Sequence, residues 1–230
     1  LADCAAGRKW LELPWVRQLT DAGLAYQRGL ESLAEERDPI HPMFASAQLR
    51  KLVDDDTCMI FDGGDYCHFF RASFKAERPS RWLYVSSFGM IGIGLPYALG
   101  AKAALPDKQV VLVVGDGSFG FHAMELDTAV RHNLDVTVLV GNNSTWGIDW
   151  HIQKDLYGRS VWTDLLPTRY DSVAAGLGAY AENVTRAADL SSALKRALSA
   201  GKPAVVNLSI DPVKSPVAEA AVNRKLGSHG

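Results

Sequence analysis

Cysteine is scarce. Cys4, Cys58 and Cys67 are three in 230 residues, and their spacing matches no metal knuckle or redox pair. An odd count also argues against a disulfide framework, so they read as reduced thiols of a cytoplasmic protein. No apolar run is long enough to cross a bilayer. A basic excess is lacking as well: 24 Lys and Arg stand against 26 Asp and Glu, a formal net charge of -2. The basic residues are scattered, which leaves no electrostatic footprint for nucleic acid or an anionic membrane surface. Internal repeats and low-complexity stretches are absent. So is an initiator methionine: the chain opens on Leu1, without the basic-then-apolar order of a signal peptide. The simplest account is that its beginning lies elsewhere, removed, disordered or on another polypeptide. Residues 225–230 (KLGSHG) read as an appended end and are left out of the fold expectation.

What is present suits a globular chain, with 47% hydrophobic and 22% charged residues, enough to bury a sizeable core. Residues 14–37 carry Val16, Leu19, Leu24, Leu30 and Leu33 among many polar neighbours. That pattern predicts a mostly polar helix lying against a larger body. Asp38-Pro39-Ile40-His41-Pro42 ends it, because a proline disfavours helix in the residue before it. The layout is therefore a linker helix in 1–38, a globular domain over 39–212 and a tail over 213–230.

Within the domain, helix is expected over 43–53 and strand over 58–61, then a turn at Asp62-Gly63-Gly64 and a short helix over 65–72. A glycine-rich loop over 86–94 leads into a helix ending near Leu105. Residues 109–114 (QVVLVV), 136–140 (VTVLV) and 204–210 are continuous apolar runs. A helix to about His132 follows the first, and further helices are expected over 170–177 and 190–200. Near-continuous apolar strands, each followed by a turn and a helix, predict a doubly wound α/β fold whose mostly parallel sheet is covered by helices on both faces.

Ligands of such sheets sit outside the carboxyl ends of the strands. Three runs end there in small or polar residues: Asp62-Gly63-Gly64, Gly115-Asp116-Gly117-Ser118 and Gly141-Asn142-Asn143-Ser144. The second follows a strand and opens a helix, so its glycines let main-chain N–H groups approach a ligand, with the helix dipole favouring phosphate. An aspartate there repels phosphate unless a cation lies between them. Mg²⁺ suits that place, since it takes oxygen ligands and binds through one or two protein groups plus substrate phosphates. One strand–helix–strand unit, about 30 residues, brings Asn143 beside Asp116.

Gly-Asp-Gly, then 24 residues, then Asn-Asn resembles the signature of thiamine-diphosphate enzymes. Gly89-Met90-Ile91-Gly92-Ile93-Gly94-Leu95-Pro96 is similar to the aminopyrimidine loop of the acetolactate synthase and pyruvate decarboxylase group. Asn142-Asn143-Ser144-Thr145-Trp146-Gly147 adds a likeness to acetolactate synthase-like, benzaldehyde lyase-like and 2-hydroxyacyl-CoA lyase-like proteins. The resemblance covers residues 40–210. It implies thiamine diphosphate and Mg²⁺ as cofactors, with Asp116 and Asn143 as side-chain ligands and Thr145 as a carbonyl ligand of the metal. Gly117 and Ser118 hold the diphosphate, with Ile148 nearby. Gly89 and Ile91 meet the pyrimidine, and the Ile91 side chain props the cofactor in its bent form. Gly64, Met90, Gly115, Trp146 and Gly147 complete the expected cofactor contacts. Asp149 matches a position where pyruvate decarboxylases carry an active-site glutamate, and is the candidate catalytic residue.

Two departures matter. Acetolactate synthases tend to carry Met where Ile91 stands. The glutamate that protonates the pyrimidine in this family lies on another domain, which no stretch here resembles. The expected activity is thus one part of a C–C lyase, carboligase or decarboxylase acting on 2-oxo acids, 2-hydroxy ketones or 2-hydroxyacyl-CoA, inactive as this chain alone. Its expected partners are the N-terminal pyrimidine-binding domain, a homodimer or tetramer, and a small-molecule substrate. A non-catalytic cofactor-binding or scaffold protein is the alternative. A dinucleotide-binding Rossmann protein is disfavoured, because no apolar strand is seen to feed the Gly89–Gly94 glycines.

Plainer readings stand beside these. Asn142 is equally a cap, and Asp62 to Asp65 equally a plain turn. His122, His132 and His151 read as surface or packed residues, while His68 is weighed between packing and the active-site mouth. Trp146 and Trp150 read as packing residues, and Met90 as core or interface.

Overall fold

The computed structural model of the chain describes residue 7, residues 13–84 and residues 89–227. A solvated helix α1 (Pro14–Glu31) precedes α2 (Pro42–Arg50) and the first strand, β1 (Cys58–Asp62). Next come α3 (Asp65–Ser73), β2 (Trp82–Tyr84), α4 (Gly94–Ala104) and β3 (Val110–Gly115). Helices α5 (Asp116–His122) and α6 (Glu125–Arg131) lead to β4 (Val136–Asn142) and α7 (Gly147–Tyr157). The chain closes with α8 (Tyr170–Gly176), β5 (Tyr180–Val184), α9 (Ala187–Leu198), β6 (Ala204–Ser209) and α10 (Pro216–Gly227).

The six strands form one sheet in the order β2-β1-β3-β4-β6-β5, and every pairing is parallel. The doubly wound α/β expectation therefore holds. The apolar runs of β3 and β4 are buried on both faces, as a sheet covered by helices requires. Val111 and Val113 point into one core layer with Phe44, Leu49, Phe70, Leu190 and Leu194. Val110, Leu112 and Val114 point into the other, with Leu95, Leu99, Phe119 and Leu126. From β1 the chain moves outward to β2 and then returns to the other side as β3. The strand order thus reverses between β1 and β3, where a crevice opens at the carboxyl ends.

The structure corrects several expected elements. Helix α1 stops at Glu31 rather than running to Arg37, and residues 32–37 form a turn and an irregular segment. The single helix expected to His132 is two, α5 and α6; Gly117 and Gly120 weaken the first, each by about 1 kcal/mol relative to alanine. Two strands were not legible, β2 and β5. They are the sheet's edges, where a three-residue Trp-Leu-Tyr and a segment carrying Glu182 and Asn183 give no apolar run. The Gly89–Gly94 loop therefore does follow a strand, although residues 85–88 between them, and with them the start of the expected 86–94 loop, lie outside the described residues. Helix α7 was not foreseen either. The expected tail carries α10, which packs against α7 and α3. Among the described residues no helix is long and apolar enough to cross a membrane.

Candidate cofactor and metal site

The tip of β1 organises the glycine-rich loop. Asp62 Oδ2 accepts N–H bonds from Gly92 at 2.9 Å and Gly94 at 2.8 Å. Gly92 takes φ 90°, in the left-handed region, and a Cβ on Gly94 would lie 2.6 Å from that of Asp62. Only glycine lets the loop close on the carboxylate in this way. Burial pushes the Asp62 carboxyl above its usual range, and the two N–H groups pull it back. Its Oδ1 is buried without a partner among the described residues.

The tip of β3 carries the central feature. Asp116 is 3% exposed. Its Oδ1 accepts from the Gly117 N–H at 2.9 Å and its Oδ2 from the Ser144 N–H at 2.8 Å, across the tip of β4. Ser144 adopts φ 57° to present that N–H, a conformation uncommon outside glycine. Burial pushes the Asp116 carboxyl up to about 6, against the pull of these main-chain donors. Among the described residues no basic side chain pairs with it.

A cavity of about 330 Å³ opens over these tips. It is lined by Gly64, Gly89, Ile91, Gly115, Asp116, Gly117, Ser118, Asn143, Thr145, Trp146, Gly147, Ile148 and Asp149, and also by Gly63, Asp65, Tyr66, His68, Tyr84 and Gly141. Every residue expected in the site thus lies on one cavity except Met90, which is outside the lining; it is 58% exposed, so it is not core. The lining is narrow by design. A Cβ on Gly117 would meet the Trp146 ring at 2.5 Å, one on Gly64 would meet Ile148 Cγ2 at 2.8 Å, and one on Gly141 would strike the Tyr66 ring. Trp146 therefore packs, as expected, and also faces the cavity; Phe121 meets it edge-on at 5.9 Å. Trp150 packs against His151, with Lys154 over its ring. Asn143 Oδ1 accepts from the Thr145 N–H at 3.2 Å. Asn142 holds the Thr168 carbonyl at 2.8 Å rather than facing the cavity.

Sequence reasoning missed Tyr66 and Tyr84, since nothing about an isolated tyrosine marks it; Gly63 and Gly141 stand in two of the strand-end runs expected to meet where ligands bind. Behind the cavity wall lies a buried polar chain. Asp65 Oδ2 meets His151 Nδ1 at 2.7 Å, and the other ring nitrogen meets the Pro212 carbonyl at 3.1 Å. Asp65 Oδ1 accepts the Ser215 N–H at 3.2 Å and its hydroxyl, while His68 Nδ1 lies 3.3 Å from that hydroxyl oxygen. His151, expected as surface or packed, is a buried partner in this chain; His122 reaches the Gly92 carbonyl at 2.6 Å. Burial first, and Asp65 second, push the Asp149 carboxyl up.

The donor set suits a hard cation. Among the described residues no group of three or more His, Cys, Asp and Glu side chains could hold a metal. The tips offer instead one carboxylate, one amide and main-chain oxygens, the mixture that Mg²⁺ completes with phosphate oxygens. A buried carboxylate with only N–H partners is also the group that a cation stabilises most.

The family described as thiamine pyrophosphate enzyme, C-terminal TPP binding domain, matches residues 62–208. A probable acetolactate synthase of Mycobacterium bovis is 44% identical over 201 residues, which cover 86% of this chain and 37% of the relative. Human 2-hydroxyacyl-CoA lyase 2 is 32% identical over 219 residues, covering 91% and 34%. The chain therefore spans about a third of the length of these relatives. Among solved structures, the thiamine diphosphate-dependent 4-hydroxybenzoylformate decarboxylase of Rhodococcus jostii aligns with a TM-score of 0.69 at 27% identity, over 76% of this chain and 33% of that one.

Proposed function

The chain belongs to the thiamine pyrophosphate enzymes through their C-terminal cofactor-binding domain, and on that premise we propose that it anchors thiamine diphosphate through Mg²⁺ for C–C bond cleavage or formation. The substrates are 2-oxo acids, 2-hydroxy ketones or 2-hydroxyacyl-CoA. The observation that carries this reading is the buried Asp116 carboxylate, held only by main-chain N–H groups at a strand tip within a glycine-lined cavity.

In this reading Asp116 and Asn143 hold the cation by their side chains and Thr145 by its carbonyl. The N–H groups of Gly117 and Ser118, at the start of α5, take the diphosphate. Gly89 and Ile91 meet the pyrimidine, on a loop that Asp62 pins to the sheet. When bound, thiamine diphosphate supplies the carbanion-stabilising chemistry. The chain's own contribution is orientation, exclusion of water by the Trp146, Ile148 and Tyr84 walls, and a proton source. Asp149 is that source: a carboxyl raised by burial and by Asp65 keeps a proton closer to working pH, as a general acid requires. The activating glutamate comes from a pyrimidine-binding domain in the same cytoplasmic protein or a partner, within a homodimer or tetramer.

The test is a titration with thiamine diphosphate and Mg²⁺, with and without the pyrimidine-binding domain, followed by product analysis of the assembled form. Cation-dependent binding and C–C chemistry only in the assembly are expected, with Asp149→Ala changing turnover or product ratio. Cofactor binding without turnover in any assembly favours the scaffold alternative. An unchanged Asp149→Ala profile removes Asp149 from the mechanism.

A further inference from the structure

His68 stands in the cavity wall at the end of the first turn of α3, and its surroundings decide which of its nitrogens carries the proton. The Ser215 hydroxyl donates to Asp65 Oδ1, so its only proton is committed. Ser215 Oγ then serves as an acceptor, receiving the Ala218 N–H at 3.2 Å and leaving a lone pair toward His68 Nδ1 at 3.3 Å. That bond requires the proton on Nδ1, which makes Nε2 the lone-pair nitrogen of the neutral ring. Nε2 has no partner among the described residues and is the nitrogen left for an occupant of the cavity.

The charged groups that act on His68 are Arg71 and Asp65, both on its own helix, and Asp65, Tyr84 and Asp149 share the cavity wall with it. Burial first, then Arg71, lower the His68 pKa, with Asp65 opposing them, which keeps the ring neutral and its lone pair free. The plain alternative is a packed histidine satisfied by its neighbours; one free nitrogen in a cavity wall argues against it.

We infer that His68 Nε2 takes the hydroxyl proton of a 2-hydroxyacyl or 2-hydroxy ketone substrate, with Ser215 and Asp65 as the positioning residues that fix its tautomer. The inference rests on the proposed function and names the substrate group recognised. When the bond between a carbonyl carbon and a hydroxyl-bearing carbon breaks, the hydroxyl becomes a carbonyl. The O–H bond breaks, its electron pair becomes the second C–O bond, and the C–C pair stays with the carbonyl-side fragment, the charge that thiamine diphosphate chemistry accommodates. The proton passes to Nε2, and carboligation returns it.

Nitrogen-15 NMR of the chain reads the tautomer directly. The expected result is an Nδ1–H ring at His68 that loses this preference in Ser215→Ala; an Nε2–H ring in the wild type overturns the inference, whatever any variant does. In the enzyme assembled with its pyrimidine-binding domain, His68→Gln should lower kcat/KM for 2-hydroxyacyl-CoA cleavage by about 10²–10⁴-fold while cofactor affinity is retained. Retained affinity with unimpaired cleavage overturns the role of His68 and leaves the proposed function standing. A wild type that binds no cofactor overturns both.

Discussion

The two edges of the sheet treat their carboxylates in opposite ways. At the amino ends of the strands, Asp56 just before β1 is met by Arg81 at 3.0 Å, by Arg78 at 3.9 Å and by Lys108. Lys102 meets Asp135 at 2.7 Å just before β4. These cations hold the Asp56 carboxyl below its usual range, the Lys108 and Arg81 hydrogen bonds most of all. At the carboxyl ends Asp62 and Asp116 are buried, partnered by main-chain N–H groups and raised instead. One edge neutralises its negative charge with its own side chains. The other keeps it available, which costs stability unless a ligand brings the positive charge.

Substitutions at the two edges should therefore differ in kind. The largest effect is expected from Asp116→Ala. Cation-dependent cofactor affinity should fall by more than the roughly 10–100-fold that loss of a metal ligand's supporting partner costs, as read by calorimetric titration. Gly117→Ala comes next: with the Trp146 ring 2.5 Å from the new Cβ, overpacking should cost about 1–3 kcal/mol in denaturant unfolding. Gly100→Ala, on α4 with nothing within 4 Å of its added Cβ, should instead gain about 0.5–1 kcal/mol. Asp62→Ala strands the Gly92 and Gly94 N–H groups, a loss of about 1–3 kcal/mol that hydrogen exchange should locate in the loop. The smallest effect belongs to the amino edge, where Asp56→Ala should lower stability slightly and leave cofactor affinity untouched. Because the folded Asp56 carboxyl is lowered, its contribution is present at neutral pH and disappears as pH falls through that lowered value. In Asp56→Ala this part of the acid-side slope should be missing.

The carboxyl edge was legible in the sequence because its chemistry is local. Each of Asp62, Asp116 and Asn143 closes or follows a run of apolar residues, and glycine beside them marks close main-chain approach. The inner strands were legible for the same reason. Edge strands β2 and β5 were not, since a strand with one neighbour tolerates Glu182 and Asn183 and loses its apolar signature. The Asp65–Ser215 bond joins residues 150 apart, so its existence depends on how α10 docks, which no local pattern records. His151 shared that fate, and for His68 the sequence left packing and the active-site mouth both open. Nothing in their spacing distinguishes a surface histidine from one that meets a buried carboxylate or fronts a cavity.

The most direct test of an edge that holds its charge for a cation is a calorimetric titration of the wild type with thiamine diphosphate, once with Mg²⁺ and once with the divalent ions chelated. The account predicts saturable binding in the first and its loss in the second, with Asn143→Ala falling between. Equal affinity in the two conditions would contradict it.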